Sequence, residues 1–183
     1  MTGDFSLRSR ETLLESRVFR VERRVVEAPD GTRFERDVAV HPGAVAVLVM
    51  NERGEVGLIR QYRATVGRLC WEIPAGTLDH EGETPLAAAQ RELIEEVGVA
   101  ARSWREVGRF MNSPGWTDQV MVVFEARDLE ARPRDPDGPE ERLAEVAWFA
   151  PAALGEALRD EVALDSTTTI ALLCVVGDVL DDR

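Results

Sequence analysis

Glu92, Glu95 and Glu96 stand in the run Pro85-Leu86-Ala87-Ala88-Ala89-Gln90-Arg91-Glu92-Leu93-Ile94-Glu95-Glu96-Val97, closer together than a solvated helix has reason to favour. At i, i+3 and i+4 of a helix their side chains share one face, where like charges repel by roughly 0.2–0.5 kcal/mol per pair. A divalent cation reverses that sign. Hard oxygen donors at this density suit Mg²⁺ or Mn²⁺, and Mg²⁺ takes one or two carboxylates together with waters and substrate phosphates. The competing reading is an acidic surface face with Arg91 paired to Glu95. A metal-assisted reaction at a phosphate and a solvated helix face are the two alternatives these residues leave open.

Thr84 followed by Pro85 reads as an N-cap with proline at the first helical position, and Gly98 as the stop, so a single helix is expected over residues 85–97. Leu86, Ala89, Leu93 and Val97 form its opposite, apolar stripe. Upstream, residues 17–27 and 34–41 predict a hairpin around the Asp30-Gly31 turn. Ala44 to Met50 is a continuous apolar strand, Asn51 to Gly54 its turn, and Val56 to Arg63 the return; both strands are expected to be central in the sheet. Arg127 to Arg142, with Pro133, Pro136 and Pro139, reads as a mobile loop, a candidate lid before a strand over Val146 to Phe149. Two helices follow, Pro151 to Arg159 and Ser166 to Leu180. The second is capped by Asp165 or Ser166 and is apolar enough to be core or a subunit contact.

Gly76, Glu83, Arg91-Glu92-Leu93, Glu95-Glu96 and Gly98-Val99 together resemble the Nudix hydrolase signature. The resemblance implies an α/β (α+β) fold, an α/β/α sandwich with a mixed sheet, and metal-dependent hydrolysis of a nucleoside diphosphate linked to another group. One departure is present: six residues, Thr77 to Gly82, separate Gly76 from Glu83 where the family has five. Gln61-Tyr62-Arg63, Trp71-Glu72-Ile73-Pro74-Ala75-Gly76 and Ser113-Pro114-Gly115-Trp116-Thr117-Asp118 are similar to segments of the ADP-ribose pyrophosphatase subfamily, and Pro114 lies 15 residues after Val99 as that group has it. The subfamily also implies an N-terminal antiparallel β-hairpin extension. Residues 1–42 are assigned to that extension, with a dimerising role, and residues 43–183 to the hydrolase domain.

What the resemblance implies for individual residues is specific. Glu92 and Glu96 are the first metal ligands, Glu95 shares or exchanges, and the Ala75 carbonyl is a backbone ligand, for two or three Mg²⁺ ions, with Mn²⁺ as substitute. Arg91 orients the carboxylates. Glu83 touches metal-bound water or only favours the helix N-terminus. The general base is expected on the loop before the late strand, at Glu141, with Glu140 beside it. Arg63 is assigned to the diphosphate, because a guanidinium offers paired hydrogen bonds to phosphate oxygens; a strand-end salt bridge is its alternative. Glu72 is assigned to adenine or ribose, Ser113 and Asp118 to the terminal-ribose side, and Phe19 and Val18 to stacking on adenine, from a partner subunit or as plain hairpin packing. Arg36 and Arg68 are candidates to reach across a dimer interface.

Composition agrees with one well-packed domain: 183 residues, 44% hydrophobic and 31% charged. All 22 basic residues are arginine and the net charge is −12, which argues against nonspecific nucleic-acid binding. No apolar run reaches membrane-span length and Met1 to Phe5 lacks a signal-sequence pattern, so a cytoplasmic protein is expected; that it is a homodimer is what the subfamily resemblance implies. Cys70 and Cys174 sit among apolar neighbours and read as thiols rather than a disulfide. The reaction expected is hydrolysis of ADP-ribose to AMP and ribose 5-phosphate. The alternatives are a hydrolase of other nucleoside diphosphate sugars such as GDP-mannose, and a non-catalytic ADP-ribose sensor.

Overall fold

The computed structural model describes residues 4–151, 154 and 165–181, with side chains through residue 174. The chain forms two compact units, residues 1–43 with 110–120, and residues 44–109 with 121–183.

The first unit is a three-stranded antiparallel sheet, ordered β1 (Ser6–Glu15), β2 (Arg20–Glu27), β3 (Arg33–Val40). The expected hairpin is β2–β3, turned at Gly31 with φ +85° and an Asp30 side chain that accepts from the Thr32 N–H. β1 is an addition to it: its Ser, Arg, Glu and Leu residues are nearly all exposed, so no one-sided apolar alternation marked it. The segment 113–118 joins this sheet at β3, where Ala39 N–H donates to the Trp116 carbonyl at 2.8 Å.

The second unit contains two sheets. One runs β7 (Ala75–Thr77), β4 (Ala44–Val49), β9 (Val120–Ala131), β8 (Val99–Met111); the other runs β10 (Glu145–Phe149), β5 (Val56–Arg63), β6 (Arg68–Glu72). β4 pairs parallel with β9 and antiparallel with β7, so the sheet is mixed. Every residue of β4 is buried, as a central strand covered on both faces requires. β4 and β5 do not form the expected hairpin. They lie in different sheets and share only a bridge between Met50 and Val56. β9 also extends to Ala131, so the irregular segment is confined to residues 132–138.

Against β4 packs α1 (Pro85–Glu92), with Val45, Val47 and Val49 meeting Ala88, Ala89, Leu93 and Val97 in the core. The expected continuous helix is instead α1 followed by a π-helical turn over Leu93–Val97. Thr84 caps it as predicted, accepting from the Ala87 N–H at 3.2 Å, and Gly98 ends it in the left-handed region at φ +78°. Leu86 leaves the expected apolar stripe, being 38% exposed in the first turn, and Ala88 takes its place. A short α2 (Pro139–Arg142) precedes β10. The terminal helix α3 (Ser166–Asp181) is capped by Asp165, which accepts from Thr168 N–H at 2.8 Å. Of the helix expected over residues 151–159, all but Pro151 and Leu154 lies outside the described residues. No helix among the described residues is long and apolar enough to cross a membrane. Cys70 and Cys174 are free thiols.

Candidate active site

The turn that joins β6 to β7 brings backbone to the carboxylate helix. Glu96 is buried, and its Oε2 accepts from the Ala75 N–H at 2.8 Å. Glu92 is also buried and lies against Gly76, where a Cβ would stand 1.8 Å from Glu92 Oε1. The missing side chain at residue 76 is therefore the space the Glu92 carboxylate fills. Burial pushes the Glu92 carboxyl up to about 7, against the opposing pull of Arg91. Burial, reinforced by the Glu92 charge, pushes Glu96 well above the ordinary carboxylate range. Desolvation and like charge both disfavour ionising this pair in the protein alone.

Arg91 is the counterweight. Its guanidinium makes a paired contact to Glu83, at 3.1 Å through Nε and 3.1 Å through Nη2, and Nη1 donates to Glu92 at 2.7 Å and Glu95 at 2.9 Å. The Glu83 bond, ahead of the other partners, holds its pKa up, and Glu83 is lowered in return. Glu95, three residues from Glu92, is thus turned to the arginine and only half buried. Arg91 meets Glu95 at the i, i+4 spacing that neighbours on a helix surface share, whereas Glu96, one residue on, is turned to Ala75.

Among the described residues no three His, Cys, Asp or Glu side chains form a preformed cation cage. The donor chemistry nevertheless fits a hard dication, because two buried carboxylates whose ionisation is opposed by each other and by Glu141 lose that penalty beside a cation.

Glu141 stands on α2, half buried, with Oε2 accepting from the Asp137 N–H at 2.7 Å. Burial raises its carboxyl, and the Glu95 charge adds to the effect. Its own charge bears on both Glu92 and Glu96. Glu140, beside it, is exposed.

Arg63 is paired with Arg68 at one end of the β5–β6 ladder and Glu72 with Ile59 at the other, yet their side chains meet, with Arg63 Nη2 2.5 Å from Glu72 Oε2 and Nε at 2.9 Å from Oε1. The hydrogen bond to Glu72 raises Arg63 further. Both expected binding residues are therefore joined to one another, the salt-bridge arrangement weighed for Arg63 from the sequence. Arg63 is 42% exposed and Glu72 8%, so the arginine is the member a ligand reaches.

Of the remaining predicted residues, all but Arg68, which opens β6, belong to the first unit. Asp118 is tied down twice, accepting from Arg24 at 3.1 Å and from the His41 N–H at 3.0 Å. Ser113 closes the Pro114-Gly115 turn through its carbonyl, which accepts from Trp116 and Thr117 N–H. Phe19 and Val18 line a cavity of about 370 Å³ together with Arg17, Arg20, His41 and Pro42, and Phe19 is 41% exposed. Arg36 covers the Phe34 ring at 4.8 Å.

Two contributors were not anticipated. Thr168, fully buried on α3, accepts from the Ile73 N–H at 3.0 Å and so anchors the turn leading to Ala75; three threonines opening an otherwise apolar helix were its signal. Arg134 bonds the Glu141 and Ala144 carbonyls, and one arginine in a charged proline-rich stretch carries no signal of that kind.

Residues 40–172 match the NUDIX domain model. The chain is 38% identical over 160 residues to an ADP-ribose pyrophosphatase of Mycobacterium tuberculosis, covering 87% of this chain and 77% of that protein. It is 35% identical over 138 residues to an ADP-ribose pyrophosphatase of Bacillus subtilis, covering 75% and 74%. A solved structure of an ADP compounds hydrolase shares the fold, with a TM-score of 0.84, 24% identity, and coverage of 98% of this chain and 96% of that one.

Proposed function

The chain belongs to the Nudix family, and we propose that it hydrolyses the diphosphate of ADP-ribose, using water to give AMP and ribose 5-phosphate. The substrate reading is supported by the two ADP-ribose pyrophosphatases it resembles. The observation that carries the chemistry is the buried Glu92 and Glu96 pair, with the Glu141 charge acting on both.

Glu92, Glu96 and the Ala75 carbonyl would hold the divalent cations, Mg²⁺ in the first instance and two or three in number, with Glu95 sharing them. Bound there, the cations neutralise the diphosphate oxygens and make phosphorus more electrophilic. Arg91 keeps Glu83, Glu92 and Glu95 in place. Glu141 takes the proton from the attacking water as the new P–O bond forms and the bond to the bridging oxygen breaks. Arg63 leaves Glu72 in part to bind the diphosphate, and Glu72 accepts hydrogen bonds from adenosine.

In the first unit, Phe19 and Val18 offer an apolar surface for adenine, and Ser113 and Asp118 polar groups for the terminal ribose. Residues 1–42 dimerise, with Arg36 and Arg68 reaching the partner. Dilution below the dimer dissociation constant then lowers specific activity; unchanged activity of demonstrably monomeric protein contradicts a shared site.

The test of the substrate is product analysis with Mg²⁺ on ADP-ribose beside GDP-mannose, NADH, diadenosine polyphosphates and nucleoside triphosphates. Preferred release of AMP and ribose 5-phosphate from ADP-ribose supports the reading. Preferred cleavage of GDP-mannose replaces the substrate, and tight ADP-ribose binding without turnover replaces the enzyme by a sensor.

A further inference from the structure

The segment that delivers Glu141 is tied to the end of the carboxylate helix at two points. Arg132 N–H donates to the Gly98 carbonyl at 2.8 Å. The stem of Arg134 then lies over Gly98, where a Cβ would stand 2.7 Å from Arg134 Cγ. Beyond that contact the guanidinium reaches the C-terminal end of α2: Nη2 donates to the Glu141 carbonyl at 3.0 Å and Nη1 to the Ala144 carbonyl, two residues past the helix, at 3.3 Å.

Three features make this more than loop packing. α2 has four residues, far below the length at which a helix holds its own shape, so its position is set by what grips its ends. Arg134 grips through main-chain carbonyls, which leaves the Glu141 carboxylate outside the bond and held instead by the Asp137 N–H at 2.7 Å. The Arg134 Nε is buried with no hydrogen-bond partner, a cost that a loop free to rearrange would shed.

We propose that Arg134 is a positioning residue that sets the Glu141 side chain against the helix end carrying Glu95 and Glu96, by bridging Gly98 to the C-terminal end of α2. The proposal rests on the reading of Glu141 as general base. It assigns to the strap a geometric role, distinct from any contact with substrate.

A double-mutant cycle tests it, measuring kcat, KM for ADP-ribose and half-saturating Mg²⁺ for the wild type, Arg134→Met, Glu141→Gln and the double variant. Methionine keeps the stem over Gly98 and removes both carbonyl bonds. We expect Arg134→Met to lower kcat by about 10²-fold, since misplacing a reacting group by about 1 Å costs that much, with KM and the Mg²⁺ requirement within about twofold. In the Glu141→Gln background the same change should cost nothing further, because the group it positions is already gone. Arg134→Lys, which keeps the charge and one donor, should recover about tenfold of the lost rate. If circular dichroism shows Arg134→Met unfolded, Arg134→Lys replaces it in the cycle, with the same non-additivity expected. Losses that multiply overturn the proposal, and so does a wild-type kcat for Arg134→Met while Glu141→Gln is impaired; both outcomes leave the base reading intact. A wild-type rate for Glu141→Gln overturns the base reading and the positioning role with it.

Discussion

The Glu92 carboxylate occupies the place of a side chain at residue 76: a Cβ on Gly76 would stand 1.8 Å from Glu92 Oε1 and 2.7 Å from its Cγ. Gly76 is not among the glycines with positive φ, so its backbone accepts alanine, and the three atoms nearest the added Cβ all belong to Glu92. Gly76→Ala should therefore displace the carboxylate proposed to bind metal while leaving the fold in place. We expect turnover to fall by about 10²-fold and the unfolding free energy to change by no more than about 1 kcal/mol. Steady-state kinetics beside thermal unfolding checks this, and wild-type turnover would show that Glu92 can work from another position.

Glu96→Gln should separate stability from function. A carboxyl raised above its ordinary value of 4.5 opposes folding once the pH exceeds 4.5, and the penalty grows until the folded pKa is reached. Glutamine removes that charge and still accepts from the Ala75 N–H. The variant should be more stable than the wild type by about 1 kcal/mol at pH 8 without metal, the gap closing toward pH 5. Mg²⁺ at a hundredfold its dissociation constant should stabilise the wild type by about 2.7 kcal/mol and the variant by much less. Calorimetry at two pH values with and without Mg²⁺ reads both effects; a variant less stable than the wild type in metal-free buffer would mean that the bond to Ala75 outweighs the repulsion.

Glu125 has the opposite linkage. Burial raises its carboxyl, but the hydrogen bonds from Arg105, at 2.5 Å, and from Arg127 outweigh it and leave the pKa below 4.5. A depressed carboxylate stabilises the fold above pH 4.5 and loses that contribution as the pH falls through its folded value. Glu125→Gln should cost about 1–2 kcal/mol at pH 7, reduced from a fully buried pair because both arginines are half exposed, and nothing near pH 2. Denaturant unfolding across that range checks it, and a gap constant with pH would assign the loss to packing.

Gly98→Ala places a Cβ on a backbone at φ +78°, 2.7 Å from Arg134 Cγ and 3.1 Å from the Arg132 carbonyl oxygen. Left-handed strain and the fixed backbone contact add, so a loss of about 1–3 kcal/mol is expected in thermal unfolding. Stability equal to the wild type would show that the strap at Arg132 moves freely.

The local punctuation around the site was legible. Thr84-Pro85, Gly98 and Asp30-Gly31 act through their own backbone geometry, which short spacing reveals. The shared acidic face was legible, and so was the Arg91–Glu95 pair at i, i+4; the burial of Glu92 and Glu96 was not, because it depends on where Ala75 and Gly76 lie against the helix, which no spacing within the helix reveals. The β4–β5 hairpin failed for a related reason, since a four-residue turn between apolar strands looks the same whether the strands pair or part into two sheets. β1 and the long reach of β9 were missed because exposed strands rich in arginine and glutamate lack the alternation that marks a half-buried one. Arg63 and Glu72 were picked out separately, and their partnership was not legible because the ladder sets Arg63 opposite Arg68 and Glu72 opposite Ile59; only the reach of the two side chains joins them.

The most direct measurement is AMP release from ADP-ribose, with and without Mg²⁺, by the wild type and by Glu96→Gln at equal concentration. The account predicts Mg²⁺-dependent release by the wild type and a loss of at least about 10²-fold in the variant, read as lost transition-state stabilisation, while the variant remains folded. Full activity in Glu96→Gln, or release that persists when divalent cations are chelated, would contradict the assignment of the buried carboxylates as the metal-binding centre of the reaction.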